Sequence, residues 1–225
     1  MSTEPASQTS AQPPTFTIDT SVVSFQVPAR IYLSTLPKDS FIFKPSLTPR
    51  YIAVGALTFD SSNRILLIQR ASTDSMPHLW EIPGGGCDDD DPTILHSVAR
   101  ELEEESGLVA QRIGPLVGDG HVFVTSSGKV VCKYNFLVEI VDEPGDGGTV
   151  VVRLDSNEHQ DHVWATEDEV QTERGGDLDL RFTKAEQKQV VLDAFRIRRA
   201  RMGNSEDKTE NATTTVCKAA NSEIA

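Results

Sequence analysis

The stretch Gly84–Leu108, GGGCDDDDPTILHSVARELEEESGL, concentrates the residues of this chain that could do chemistry. Glu101, Glu104 and Glu105 follow one another at intervals of three and one, so a helix sets Glu104 and Glu105 three and four residues beyond Glu101 on one face, with neighbouring Cβ atoms about 5–6 Å apart. Each like-charge pair at that spacing costs an exposed helix roughly 0.2–0.5 kcal/mol. Asp88 to Asp91 add negative field at the entrance, and Arg100 is the one lysine or arginine in the stretch. A hard divalent cation, Mg²⁺ or Mn²⁺, held by carboxylate and carbonyl oxygens is the economical counter-charge. The competing reading is a solvated acidic face.

The elements that must position these groups can be read without reference to function. Asp91 suits an N-cap and Pro92 the first helical position, where its missing N–H costs nothing. Ile94, Leu95, Val98 and Leu102 recur at helical spacing and form a buried stripe on another face. Ser106-Gly107 ends the helix in a left-handed turn.

Read from Gly86, the stretch resembles the Nudix box, G-x5-E-x7-R-E-U-x-E-E-x-G-U with U aliphatic. Arg100-Glu101-Leu102, Glu104-Glu105 and Gly107-Leu108 match it, and the preceding Leu79-Trp80-Glu81-Ile82-Pro83-Gly84-Gly85 is similar to the family's approach to the box. Pro92 stands where the box has its first glutamate, the residue that in the family orients the box arginine; Asp90 and Asp91 are the neighbouring carboxylates that could replace it. The resemblance covers about residues 50–200 and extends to fungal Nudix-domain proteins. It implies an α/β fold, an α+β sandwich with a mixed β-sheet between α-helices, and hydrolysis of a nucleoside diphosphate linked to another moiety or of a similar organic diphosphate. On that basis the Gly85 carbonyl, Glu101, Glu104 and Glu105 would bind Mg²⁺ or Mn²⁺. Glu105 or Glu158 would act as general base, and Arg100 would hold the box together. Glu158, six residues before Trp164, matches the family's second catalytic loop, with His159 and Asp161 as alternatives there and a plain surface acid as the competing reading.

Around the box, Tyr51–Phe59 and Arg64–Arg70 read as a hairpin about Asp60–Asn63, apolar enough to be buried on both sides. Arg70 ends the second strand, where such proteins often place a substrate-facing residue; a surface ion pair is the alternative. Residues 71–83 read as a loop in which His78 is weak evidence of function and Trp80 reads first as packing. Arg112–Thr125 and Lys129–Val141 read as long strands, and Thr149–Leu154 as a further one after the glycine-rich turn 142–148. His121 and Tyr134 could line a pocket. Thr183 suits the cap of a helix from Lys184 to Arg201 with Val190, Val191, Ala194, Phe195 and Ile197 inward. Its arginines could receive a phosphate or simply meet water.

The expected organisation is an N-terminal tail over 1–20, an extension over 21–50, the Nudix domain over 51–202 and a C-terminal tail over 203–225. Both tails are rich in small polar residues and are expected to be disordered. Four prolines, Pro28, Pro37, Pro45 and Pro49, restrict the extension's pieces VVSFQV, IYL and FIF to short or edge segments; it packs on the domain, over the substrate entrance or as structural padding. A net charge of −13 argues against nucleic-acid polymers and anionic membranes as partners. Three cysteines, without a CxxC pair, and no secretory leader or membrane span lead to a cytoplasmic expectation. The partner expected is a small diphosphate, and the oligomeric state is left open, a homodimer included. Two other readings stay alongside: a Nudix-fold nucleotide-binding or regulatory module without turnover, favoured by Pro92, and an enzyme acting on an isoprenoid diphosphate.

Overall fold

A computed structural model describes residues 14–36, 47–141 and 150–220, the side chains of 203–220 excepted. The FIF piece, the turn 142–148, and residues 1–13 and 221–225 of the expected tails lie outside the described residues. Strand β1 (Thr17–Ile18) is followed by a 3₁₀ helix (Thr20–Phe25) and α1 (Ala29–Thr35); then come β2 (Tyr51–Thr58), β3 (Ile65–Arg70), β4 (Trp80–Glu81) and α2 (Ile94–Ser106). Beyond α2 lie β5 (Ala110–Val124), β6 (Val130–Ile140), β7 (His159–Ala165), α3 (Glu167–Thr172), β8 (Arg174–Gly175), β9 (Leu178–Asp179) and α4 (Ala185–Ala220). β1 lies before residue 21, and α4 runs past Arg201.

The strands form a mixed four-stranded sheet, β1-β5-β6-β2, and a three-stranded sheet, β4-β3-β7. In the larger sheet β2 runs parallel to β6 and β1 parallel to β5, while β5 and β6 are antiparallel. Both β2 and β3 are buried over most of their length, as their apolar runs require. The expected hairpin is corrected: the two segments meet only at a Phe59–Ile65 bridge and then enter different sheets. The reason lies in the loop before α2. Val54 and Ala56 donate N–H bonds to the Gly85 and Pro83 carbonyls (2.8 Å each), and Cys87 donates to Ile52 (3.0 Å), so Pro83–Cys87 occupies the edge of β2.

Helix α2 lays Ile94, Leu95, Val98 and Leu102 on the larger sheet, all essentially fully buried. Its start differs from expectation. Thr93, with extended backbone, accepts the His96 N–H at 3.3 Å and is the N-cap, which leaves Asp91 and Pro92 outside the helix. Gly107 (φ 69°) closes it as expected, its N–H returning to the Glu103 carbonyl. Val191, Ala194 and Phe195 of α4 close a second core with β3 and α3. Thr183 is not its backbone cap; the hydroxyl donates to the Gln187 side chain instead. Residues 150–154 form no strand. They strap Val150, Val152 and Leu154 onto the first core, and Arg153 N–H satisfies the Ser106 carbonyl at the end of α2 at 2.8 Å.

The N-terminal segment is part of the fold: after β1, Val22–Phe25 lie in the 3₁₀ helix and IYL lies in α1. Phe25, 5% exposed, packs its ring 4.8 Å from Tyr32 and 5.1 Å from each of Tyr134 and Phe136. Tyr134 is therefore a core residue. Phe25→Ala is expected to lower the unfolding free energy by about 3–5 kcal/mol, measured by urea denaturation; a loss under about 1 kcal/mol would mean that this segment is not integral to the core.

Candidate active site

Arg100 is the hub of the acidic helix. Its Nε and Nη2 donate to the two oxygens of Asp91 at 3.0 and 2.9 Å, a bidentate fork. Nη1 donates to Glu101 Oε1 and to Glu104 Oε2, both at 2.9 Å, and Nη2 also reaches the Gly86 carbonyl at 2.9 Å. Pro92, in the place of a glutamate, therefore does not leave Arg100 without an anchor. Asp91 is itself fixed by the Asp88 N–H at 2.8 Å and the Ser97 hydroxyl at 2.7 Å. Burial would raise its carboxyl, but Arg100, Asp88 N–H and Ser97 together hold it below the usual carboxylate range.

The three glutamates sit in graded environments. The Glu104 side chain is 60% exposed. Glu101 is buried, and burial raises its carboxyl despite Arg100. Glu105, 7% exposed, is pushed up to about 8 by burial, with Glu101 and Glu81 adding to the effect and the Gly84 N–H, which donates to it at 2.6 Å, opposing it. Gly84 adopts φ 150°, and a Cβ there would stand 2.2 Å from the Val54 carbonyl oxygen. Glycine is thus what lets the loop press between β2 and Glu105. A Cβ at Gly85 would lie 2.5 Å from Glu101 Oε2, which measures how closely that backbone approaches the carboxylates. The Gly85 carbonyl accepts the Val54 N–H, and a carbonyl oxygen retains a second lone pair.

Beside this cluster opens a cleft of about 610 Å³, lined by Gly84–Asp89, by Arg70 and Glu81, and by β5 and β6 side chains including His121, Phe123 and Lys133. Phe123 stacks on His121 (6.0 Å between ring centres) and carries the Lys184 ammonium 3.8 Å above its ring. None of residues 14–36 lines the cleft, so the described part of the extension does not cover the entrance.

Glu158 comes to the site through the turn Asp155–Glu158, in which the Asp155 carbonyl accepts the Glu158 and His159 N–H groups. Oxygens of Glu105 and Glu158 and a ring nitrogen of His159 lie within 4.8 Å of one another. Asp161 stands on β7, accepting the His162 N–H, outside that group. Arg70 lines the cleft, but its guanidinium is committed to Asp74 (2.9 and 2.5 Å) and to Glu81, so its observed contacts are intramolecular ion pairs. His78 bonds Gln160 outside the cleft, and Trp80 is a buried packing residue whose Nε1 donates to the Asp179 carbonyl. The α4 arginines are likewise engaged: Arg196 with Asp193, Arg199 with Glu167, and Arg201 with Asp19.

Two residues escaped the reading of the sequence. Glu81 is buried between the guanidinium of Arg70 and His159 Nε2, 3.2 Å away. Lys133 faces the cleft from β6, and burial lowers its ammonium against the pull of Glu81, Glu105 and Glu101. Each carried a signal: a charge flanked by Trp80 and Ile82, and a lysine inside the apolar run Val130–Val138.

The donors fit a divalent cation: oxygen ligands of graded exposure, two of them buried carboxylates whose charge the protein only partly offsets. The folded chain keeps a proton on Glu105 between the ordinary 4.5 and about 8, whereas the unfolded chain has released it. Metal-free stability should therefore fall as pH rises through that window. In a chelator, Glu105→Gln is expected to flatten this slope and to unfold later than wild type at pH 8, by on the order of 2 kcal/mol. Equal pH slopes in the two proteins would contradict the buried, protonated carboxyl.

Comparison with known proteins follows the same outline. A family model described as the NUDIX domain matches residues 49–185. No sequence among curated proteins matches the chain. Among solved structures, the MutT protein from Methanosarcina mazei Go1 superposes with a TM-score of 0.51 at 24% identity, covering 67% of this chain and 96% of its own. An Ap4A hydrolase of C. elegans, in a binary complex, gives 0.51 at 17% identity over 67% and 98%. A NUDIX hydrolase from Nitrosomonas europaea gives 0.50 at 18% over 65% and 88%. These likenesses are of fold.

Proposed function

The chain belongs to the Nudix family, and from that premise we propose that it is a pyrophosphohydrolase that cleaves the diphosphate bridge of a nucleoside diphosphate derivative or a similar organic diphosphate. The observation that carries this reading is the Arg100 hub, which holds Asp91, Glu101 and Glu104 at hydrogen-bond distance in spite of Pro92. A binding module without turnover was the reading that a lost arginine anchor would have favoured; the bidentate Asp91 contact supports the enzyme instead.

Glu101, Glu104, Glu105 and the Gly85 carbonyl are the groups that would hold Mg²⁺ or Mn²⁺. Such a cation supplies positive charge to the diphosphate oxygens and makes a water molecule more acidic. The protein's own part is positional. Arg100 keeps Glu101 and Glu104 from splaying apart under their repulsion. The Gly84 N–H fixes one oxygen of Glu105, leaving the other to accept a proton from water. Glu158, exposed and close to Glu105, is the other candidate base. The cleft receives the rest of the substrate: Lys133 offers an ammonium with no ion pair within 4.0 Å among the described residues, and His121 and Phe123 offer aromatic faces. Arg70 reaches substrate only by leaving Asp74 or Glu81, so its contribution is to orient Glu81 unless those bonds exchange. Among the described residues no helix is long and apolar enough to cross a membrane.

Purified protein with excess Mg²⁺ or Mn²⁺ is expected to split some member of a panel of nucleoside diphosphate derivatives and isoprenoid diphosphates. Glu104→Gln and Glu105→Gln should each lower kcat by at least about 100-fold, roughly 2.7 kcal/mol of barrier. Wild-type rates in both variants, or tight nucleotide binding without turnover under every divalent metal, would overturn the assignment.

A further inference from the structure

Glu105, Glu158 and His159 bring two carboxylate oxygens and a ring nitrogen within 4.8 Å of one another. An octahedral ion with ligands at about 2.1 Å separates adjacent donors by about 3 Å and opposite donors by about 4.2 Å. Side-chain adjustments of about 1 Å therefore suffice to close this group around a cation. The backbone supports it from two sides: α2 carries Glu105, and the Asp155 turn, tied to β3 through the Ala71 N–H to the Glu158 carbonyl at 2.8 Å, carries the other two.

His159 is the informative member. Its side chain is 2% exposed, yet Nδ1 has no hydrogen-bond partner among the described residues. A buried nitrogen left without a partner costs about 1–3 kcal/mol, a cost that a bound cation would remove. The other nitrogen, Nε2, lies 3.2 Å from Glu81 Oε1. Glu81 is ion-paired with Arg70, and Arg70 is braced by Asp74. A carboxylate so engaged is an acceptor, so Nε2 is the nitrogen that donates and Nδ1 is left with its lone pair. One nitrogen donating to a carboxylate while the other stays free is how proteins present imidazole to a metal ion.

We propose that His159 Nδ1 is the ring nitrogen turned toward Glu105 and Glu158, and that the three form a mixed nitrogen–oxygen position for a divalent transition-metal ion next to the Glu101–Glu104 carboxylates. Imidazole is a better ligand for first-row transition ions, Zn²⁺ and Fe²⁺ above all and Mn²⁺ least, than for Mg²⁺, which keeps to oxygen and water. This position rests on the hydrolase reading above and adds to it a choice of metal: the site takes Mn²⁺ in preference to Mg²⁺. The Asp74–Arg70–Glu81 chain is then a positioning device whose end point is the imidazole, which gives Arg70 a task compatible with its ion pairs.

The test uses the full chain with Mn²⁺ as the probe. Electron spin-echo spectra of the Mn²⁺-loaded protein are expected to show modulation from a directly bound ¹⁴N nucleus, and His159→Gln should abolish it. Mn²⁺ affinity at that position should fall about 10–100-fold in Glu81→Gln, which removes the orienting carboxylate, and the excess of Mn²⁺ over Mg²⁺ affinity should shrink in His159→Gln. Wild-type protein saturated with Mn²⁺ but without ¹⁴N modulation overturns the proposal, as does His159→Gln with wild-type Mn²⁺ stoichiometry and affinity. If His159→Gln does not fold, the wild-type spectrum and Glu81→Gln still decide. Diphosphate turnover without ¹⁴N modulation sinks this inference alone, whereas failure to bind any divalent metal sinks the hydrolase reading with it.

Discussion

One guanidinium sharing its donors among three carboxylates is the constraint on which the rest of this structure depends. Glu101 and Glu104 lie on the same helical face as Glu105, and without a partner their repulsion would pull the face apart or favour other rotamers. Arg100 answers Asp91, Glu101 and Glu104 at once and adds the Gly86 carbonyl. Because its donors form a rigid planar fork, the directions in which those carboxylates can turn are fixed with it, which a lysine could not do. Glu105, whose carboxyl burial pushes up to about 8, is left for what binds there.

The scaffold makes that arrangement compatible with a folded chain. The loop Pro83–Cys87 takes the edge of β2, and this is why β2 and β3 part into two sheets instead of continuing as a hairpin. The same loop sends the Gly84 N–H to Glu105 and the Gly86 carbonyl to Arg100, so sheet, loop and helix are fixed by one set of bonds. Opposite them, the β3–β4–β7 sheet brings Arg70, Glu81 and His159 into a second line of hydrogen-bonded side chains beside the same cleft.

Much of this was legible in the residues. The stripe Ile94, Leu95, Val98, Leu102, the Gly107 stop, the buried strands and the long β5–β6 pair follow from periodicity and turn chemistry, which are local properties. The family pattern likewise pointed to the glutamate face. What could not be read was decided by contacts between distant segments. Asp91 resembled a helix cap because its type and place suit one, but pairing with Arg100 and Ser97 drew its carboxylate away and left Thr93 to cap. Val150, Val152 and Leu154 alternate as a strand would, yet no free sheet edge received them and they became a strap. Glu81 was passed over because its significance lies in Arg70 and His159, on strands that only the fold brings beside it.

The central claim is that Asp91 and Arg100 act as one unit in holding a metal-dependent diphosphate site. A double-mutant cycle of Asp91→Ala and Arg100→Ala, read as kcat for diphosphate release under saturating Mn²⁺, tests it most directly. The account predicts that each single substitution lowers the rate about 10–100-fold, in keeping with the loss of one buried charge-assisted pair, and that the double variant is no slower than Arg100→Ala alone. Losses that multiply independently, or an Asp91→Ala enzyme as fast as wild type, would contradict it.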